Sequence, residues 1–144
     1  MDRLVGLFYA QALRALINSR EEEGKLFLPV HFIMDDFAAG YRIEGFDRII
    51  SVIRSRSIYA SLIIQSVAQL ETLYGAAAAT IMENCDTTLY LGGNDPRTTR
   101  YIGDRANRPP HTILTMPAKE ALLFQRGQEG QKVQRYRLED HYSL

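Results

Sequence analysis

The sequence predicts an α/β fold built on a parallel sheet, and three observations carry that prediction. Strand-like runs at Val30 to Met34, Ile58 to Ile64 and Thr87 to Leu91 are short and rich in apolar and β-branched residues. Stretches of helical periodicity separate them, and alternating strand and helix folds through right-handed crossovers into a parallel layer with helices on both faces. Each run also stops abruptly, at Asp35-Asp36, at Gln65 and at Gly92-Gly93. Strands of a parallel layer all point one way, so these three ends are expected along one edge, where open α/β sheets bind ligands.

The elements follow in order. Leu4, Phe8, Ala12 and Leu16, with Val5 and Leu13 beside them, recur at helical spacing, and the charged segment Arg20 to Lys25 breaks the pattern, so a first helix ends near Ser19. Pro29 opens the first strand, where a missing backbone donor is tolerated. Ala38-Ala39-Gly40 makes a loop. Phe46, Ile49, Ile50 and Ile53 then form one apolar helical face running to about Arg56. After the second strand, Ser66 with Gln69 three residues on reads as a capping box, which starts a helix directly behind Gln65. Gly75 closes that helix in a left-handed conformation, and Ala76 to Asn84 forms another. Asp95 caps a helix with Pro96 at its first position, running to about Asp104. Beyond Pro109-Pro110, Ala121 to Phe124 and Val133 to Leu138 read as a hairpin around Gly127 to Gly130. No repeat, low-complexity tract or linker interrupts the chain, so residues 1–144 read as one domain with residues 111–144 as a hairpin extension.

Composition excludes several classes. Seventeen basic and seventeen acidic residues cancel, so overall charge advertises neither a nucleic-acid nor a membrane surface. A single cysteine, Cys85, rules out an internal disulfide. No apolar span approaches transmembrane length and no signal peptide is evident, so this segment is expected to be soluble. His31, within an apolar strand, reads as a hydrogen-bonded core residue, since no Cys/His spacing suggests zinc.

Chemistry concentrates at the strand ends. Carboxylates cost several kcal/mol in an interior unless paired, hydrated or metal-bound, which places Asp35 and Asp36 at the strand's mouth. P-loop nucleotide hydrolases carry such an acid-ended strand, called Walker B. The phosphate-cradling Gly-x-x-x-x-Gly-Lys-Ser/Thr loop, Walker A, is absent from these residues. Gly24-Lys25 comes nearest, but Leu26 follows where a hydroxyl is needed. Taken singly, each motif has a plainer reading: adjacent acids form a solvated turn, Gln65 is a polar strand end, Gly92-Gly93 is a tight turn, and Arg97, Arg100, Arg105 and Arg108 form a solvated helix face.

In combination they are more specific. His31-Phe32-Ile33-Met34-Asp35-Asp36-Phe37-Ala38, Ile53-Arg54-Ser55-Arg56, Ile63-Ile64-Gln65-Ser66-Val67-Ala68-Gln69-Leu70 with Tyr74-Gly75, Asn84-Cys85 and Leu91-Gly92-Gly93-Asn94-Asp95 together resemble the TraG/TraD-type coupling proteins of conjugative type IV secretion. The resemblance covers most of the chain to about Gly103. It implies the C-terminal part of a RecA-like P-loop ATPase domain, from a hexameric motor at the cytoplasmic face of the bacterial inner membrane that hands relaxase-bound single-stranded DNA to a secretion channel.

Carried over by position, the resemblance makes Asp35 the acid on the magnesium shell of Mg2+-ATP and sets Asp36 in the place of a catalytic glutamate. That aspartate is one methylene shorter than the usual residue. Gln65 takes the place of the γ-phosphate-sensing glutamine, and Arg54 that of an arginine finger acting on a neighbouring subunit, with Arg56 as a nearby substitute. Without Walker A, these residues alone are expected to hydrolyse little or no ATP. Two other readings stay open: a non-catalytic interaction or assembly domain related to such ATPases, and an unrelated α/β hydrolase using Asp35 and Asp36 with a metal.

Overall fold

The computed structural model describes residues 2–19, 26 and 28–136 and divides the chain into two compact units, Met1–Asn84 and Cys85–Leu144. The Gly24-Lys25 pair lies outside the described residues.

The first unit contains helix α1 (Asp2–Asn18), strand β1 (Val30–Met34), helix α2 (Phe46–Ile53) with a 3₁₀ turn at Arg54–Arg56, strand β2 (Ile58–Leu62), helix α3 (Val67–Tyr74) and helix α4 (Ala77–Glu83). β1 and β2 pair in parallel, from Val30 opposite Ile58 to Met34 opposite Leu62. Two further hydrogen bonds carry the ladder past the strands, from Ile63 N to Met34 O at 3.0 Å and from Phe37 N to Ile63 O at 2.9 Å.

Strand alternation sends Met34 and Ile58 to the buried side, and α2 turns the predicted face, Phe46, Ile49, Ile50 and Ile53, into the same core. An aromatic group fills its centre. Phe37 and Phe46 lie 4.7 Å apart between ring centroids, and Phe37 stacks on Tyr74 at 5.4 Å and 8°. The Tyr74 hydroxyl accepts the Ile43 N–H at 3.1 Å, which satisfies a buried loop donor.

Three expectations need correction here. The opposite side of the parallel pair, carrying His31, Ile33, Tyr59, Ser61 and Ile63, is exposed, so among the described residues helices cover one face of the layer. His31 is therefore a surface residue, bonded through Nε2 to Ser61 Oγ at 2.9 Å with Tyr59 edge-on to its ring. In α1 the inward stripe is Gly6, Ala10 and Leu13, whereas Leu4 and Phe8 face outward. The reason is steric. Gly6 lies against the Arg42 carbonyl so closely that a Cβ would collide with its oxygen, and this contact sets the rotation of the helix.

The second unit contains strand β3 (Thr87–Tyr90), helices α5 (Pro96–Ala106) and α6 (Pro110–Leu114), and strands β4 (Glu120–Gln125) and β5 (Gln131–Gln134). The third strand does not join the parallel pair: β3 runs antiparallel to β4, and β4 antiparallel to β5. The β4–β5 hairpin is the expected one, turning through Gly127 at φ 77°; its residues past 136 lie outside the described set. Tyr90, Ile102, Ile113, Leu122 and Phe124 form the core of this unit. Asp95 caps α5 through Thr98 N at 2.8 Å, with Pro96 at the first turn. The short α6 has no signal in periodicity because a single turn offers only Ile113 to the core.

Replacing Gly6 by Ala tests the close approach of α1. Helix propensity alone favours Ala by about 1 kcal/mol, but the Arg42 carbonyl must move. Net destabilisation of roughly 1–3 kcal/mol, the usual range for overpacking, is expected in urea unfolding. A stabilised G6A protein would refute the packing assignment.

Candidate functional site

Met34 is the last buried residue of β1, and the chain then leaves the layer through two exposed carboxylates. Asp35 Oδ1 accepts the Asp36 N–H at 3.0 Å. Asp36 adopts φ 49°, a left-handed conformation that aspartate tolerates better than most non-glycine residues because its short polar side chain bonds locally. Ala39 N then donates to Asp36 O at 2.8 Å and closes the turn. Phe37, wholly buried in the aromatic core, anchors the far side. The acid pair is thus an exposed turn held between a ladder bond and a buried ring.

β2 ends on the same rim. Gln65 Nε2 donates to Asp36 Oδ1 at 3.1 Å, linking residues 29 apart in sequence. Directly behind it, Ser66 Oγ accepts the Gln69 N–H at 3.2 Å and starts α3. The Gln69 side chain bonds forward of the cap, with Nε2 3.4 Å from Gln65 Oε1. A groove of about 370 Å³ lies alongside, lined by Ala38, Gly40, Ala68, Gln69, Thr72 and Leu73.

Tyr41 completes the surroundings. Its ring stacks on Tyr9 at 5.9 Å and 14°. Burial holds its hydroxyl above the usual tyrosine range, and Tyr9, Asp35 and Asp36 push in the same direction. The phenol accordingly stays neutral beside the carboxylates.

Asp35, Asp36 and Gln65 therefore come together as expected. Arg54 and Arg56 do not join them, since their 3₁₀ turn precedes β2 at the amino edge of the layer, roughly 15 Å of strand away. Gly92-Gly93 follows β3 and belongs to the second unit. Gly92 takes φ 101°, and Gly93 O accepts the Tyr90 hydroxyl at 3.2 Å, so a tight turn explains both glycines. Arg105, one of the basic cluster, bonds Thr88 Oγ1 at 2.8 Å and Tyr101 at 3.0 Å and lies 4.6 Å over the Phe124 ring. It serves the core of its own unit. Cys85 is half-buried, and burial, with Asp86 adding and Arg105 opposing, pushes its thiol up and away from nucleophilic character.

No cluster of three or more His, Cys, Asp or Glu among the described residues could hold a metal by protein ligands alone. The exposed acid pair suits magnesium nonetheless, because that ion keeps several waters and takes one or two carboxylates plus phosphate oxygens. Two contributors were missed in the sequence. Tyr41 had no periodic or motif signal, whereas Gln69 stands four residues after Gln65, a spacing that signals contact across a helical turn.

The site defines an α/β protein whose parallel strands bring an acid pair and an amide to one carboxyl-end rim. The particular family follows from sequence: a model described as the TraM recognition site of TraD and TraG matches residues 29–107. The chain belongs to this TraG/TraD family of conjugative coupling proteins. Its fold is similar to the bacterial conjugative coupling protein TrwBdeltaN70 in a trigonal form with sulphate, with a TM-score of 0.77 and 19% identity over 92% of this chain and 36% of that one. It is also similar to TrwB in complex with ADP and Mg2+, with a TM-score of 0.76 and 18% identity over 91% of this chain and 35% of that one. Identity this low establishes the fold alone, and the chain spans about a third of those proteins. No curated protein matches it by sequence.

The Tyr41 phenol gives a direct reading of the rim's charge. Its ionisation, followed as the ultraviolet difference between wild type and Y41F, should have a midpoint above the ordinary 10.0. Because anions oppose formation of a phenolate, D35N/D36N should move that midpoint downward. An unchanged midpoint would place Tyr41 away from the acids.

Proposed function

We propose that this chain forms the C-terminal part of the ATP-driven motor of a conjugative coupling protein. The bond from Gln65 to Asp36 is the observation that carries the reading, because it gathers two distant strand ends around one small volume. Asp35 would hold the magnesium shell of Mg2+-ATP, as the Walker B acid. Asp36 would act on the attacking water, with its short carboxylate needing hydrogen-bond reach or one bridging water. Gln65 would meet the γ-phosphate, a task that suits an uncharged amide. The amino-edge position of Arg54 suits an arginine finger directed at a neighbouring subunit's nucleotide, where a planar cation offsets developing phosphoryl charge. TrwB structures with ADP and Mg2+ and with a non-hydrolysable ATP analogue support nucleotide use in the family. The full machine would be a homo-hexamer at the inner membrane that passes relaxase-bound single-stranded DNA to a type IV secretion channel.

The second reading, an interaction domain without chemistry of its own, draws on the family description as a TraM recognition site and on an Asp36 carboxylate already engaged by Gln65. TraM, or a protein like it, would then be the partner.

Complementation separates the two. The isolated chain should show no ATP turnover above background. Supplying the Walker A portion of a family motor, as a fusion or a co-expressed segment, should give Mg2+-dependent hydrolysis that Q65A or D36A lowers by about 10²–10³-fold, the range for loss of one transition-state contact, with nucleotide affinity nearly unchanged. Turnover in the complemented protein that ignores both substitutions would sink the motor reading.

A further inference from the structure

Hydrogen-bond polarity at the rim assigns a role to Gln69. We propose that Gln69 is a positioning residue that fixes which way round the Gln65 amide is held, so that Gln65 presents N–H donors to the rim. The proposal rests on the reading of Asp36 and Gln65 as the groups that handle water and phosphate.

An ionised carboxylate only accepts hydrogen bonds, so Gln65 must turn its nitrogen toward Asp36 Oδ1, 3.1 Å away. Its Oε1 then faces the other way. An amide is nearly symmetric in shape, so a single contact holds it weakly, and a donor at Oε1 reinforces the orientation that the carboxylate imposes. Gln69 Nε2 is that donor, at 3.4 Å. Donors and acceptors alternate correctly through the whole relay: Gln69 N–H to Gln65 C=O, then Gln65 N–H to Asp36.

The relay is seated on the backbone. Ser66 Oγ holds the Gln69 N–H, which keeps residue 69 one turn beyond residue 65. At 3.4 Å the side-chain bond is long, so its effect lies in orientation and not in stability. The consequence is chemical. An amide nitrogen carries two protons, and with one committed to Asp36 the second remains a donor for an anionic oxygen such as that of a phosphoryl group. A flipped amide would instead offer a carbonyl, which repels both the carboxylate and a phosphate.

Side-chain amide NMR of the chain itself tests this. In wild type, the substitution D36N, which replaces the accepting carboxylate by an amide, should shift the Gln65 Nε2 proton signals, and that shift is the response compared among the Gln69 variants. Q69M, of similar size but without a donor, and Q69A should each reduce the response at least twofold, while Q69K, which keeps a donor, should retain most of it. Circular dichroism should be unchanged in all three, because the cap uses the backbone of residue 69. A Gln65 response in Q69M and Q69A equal to that of wild type overturns the proposal. This readout needs no nucleotide, so it is separable from the motor reading: an intact relay with turnover indifferent to Q65A would defeat the function and leave the positioning in place.

Discussion

Parallel pairing of β1 with β2, extended through Ile63 N to Met34 O and Phe37 N to Ile63 O, is the constraint on which the site depends. A strand's side chains alternate between faces, so a slip of one residue would send Met34 to solvent and carry Asp36 away from Gln65. Burial of Met34 and Ile58 on the core side penalises that slip. The register is thus set by apolar packing, and the polar rim inherits its geometry from it.

Phe37 couples the two regions. It is the residue after the acid pair, and it lies wholly inside the aromatic group with Phe46 and Tyr74. The turn between Met34 and Phe37 must therefore reverse within two residues, and the left-handed backbone of Asp36 accomplishes this. Such a backbone suits aspartate better than a longer acid, because the short carboxylate bonds locally, which gives a conformational reason for an aspartate at position 36. The same tight turn brings its carboxylate within reach of Gln65.

The uncovered side of the parallel pair is equally informative about packing. Ile33 is 68% exposed and Ile63 49% exposed, although parallel strands are ordinarily covered on both faces. The chain spans 36% of a TrwB structure whose fold it resembles, and its described residues carry the acids and the amide on a layer with helices over one side. What the described residues keep is enough core to hold that rim in register.

Much of this was legible in the residues alone. The apolar spacing of α2, the Ser66 and Asp95 caps, the Pro96 helix start and the acid and amide strand ends are local signals, written within one turn or one strand, and each appears where the spacing put it. The sheet assignment of β3 was not legible. Thr87 to Tyr90 has the composition of a strand, but its partner, β4, lies more than 30 residues on, and strand pairing is a long-range choice that periodicity does not encode. The outward face of α1 was hidden for a similar reason, because the Gly6 contact with Arg42 decides the helix's rotation against its own hydrophobic stripe. By itself, the sequence determined which side chains stand at the ends of the strands. Only the tertiary structure decided which of those ends meet, because that depends on backbone hydrogen bonds and burial between segments far apart in the chain.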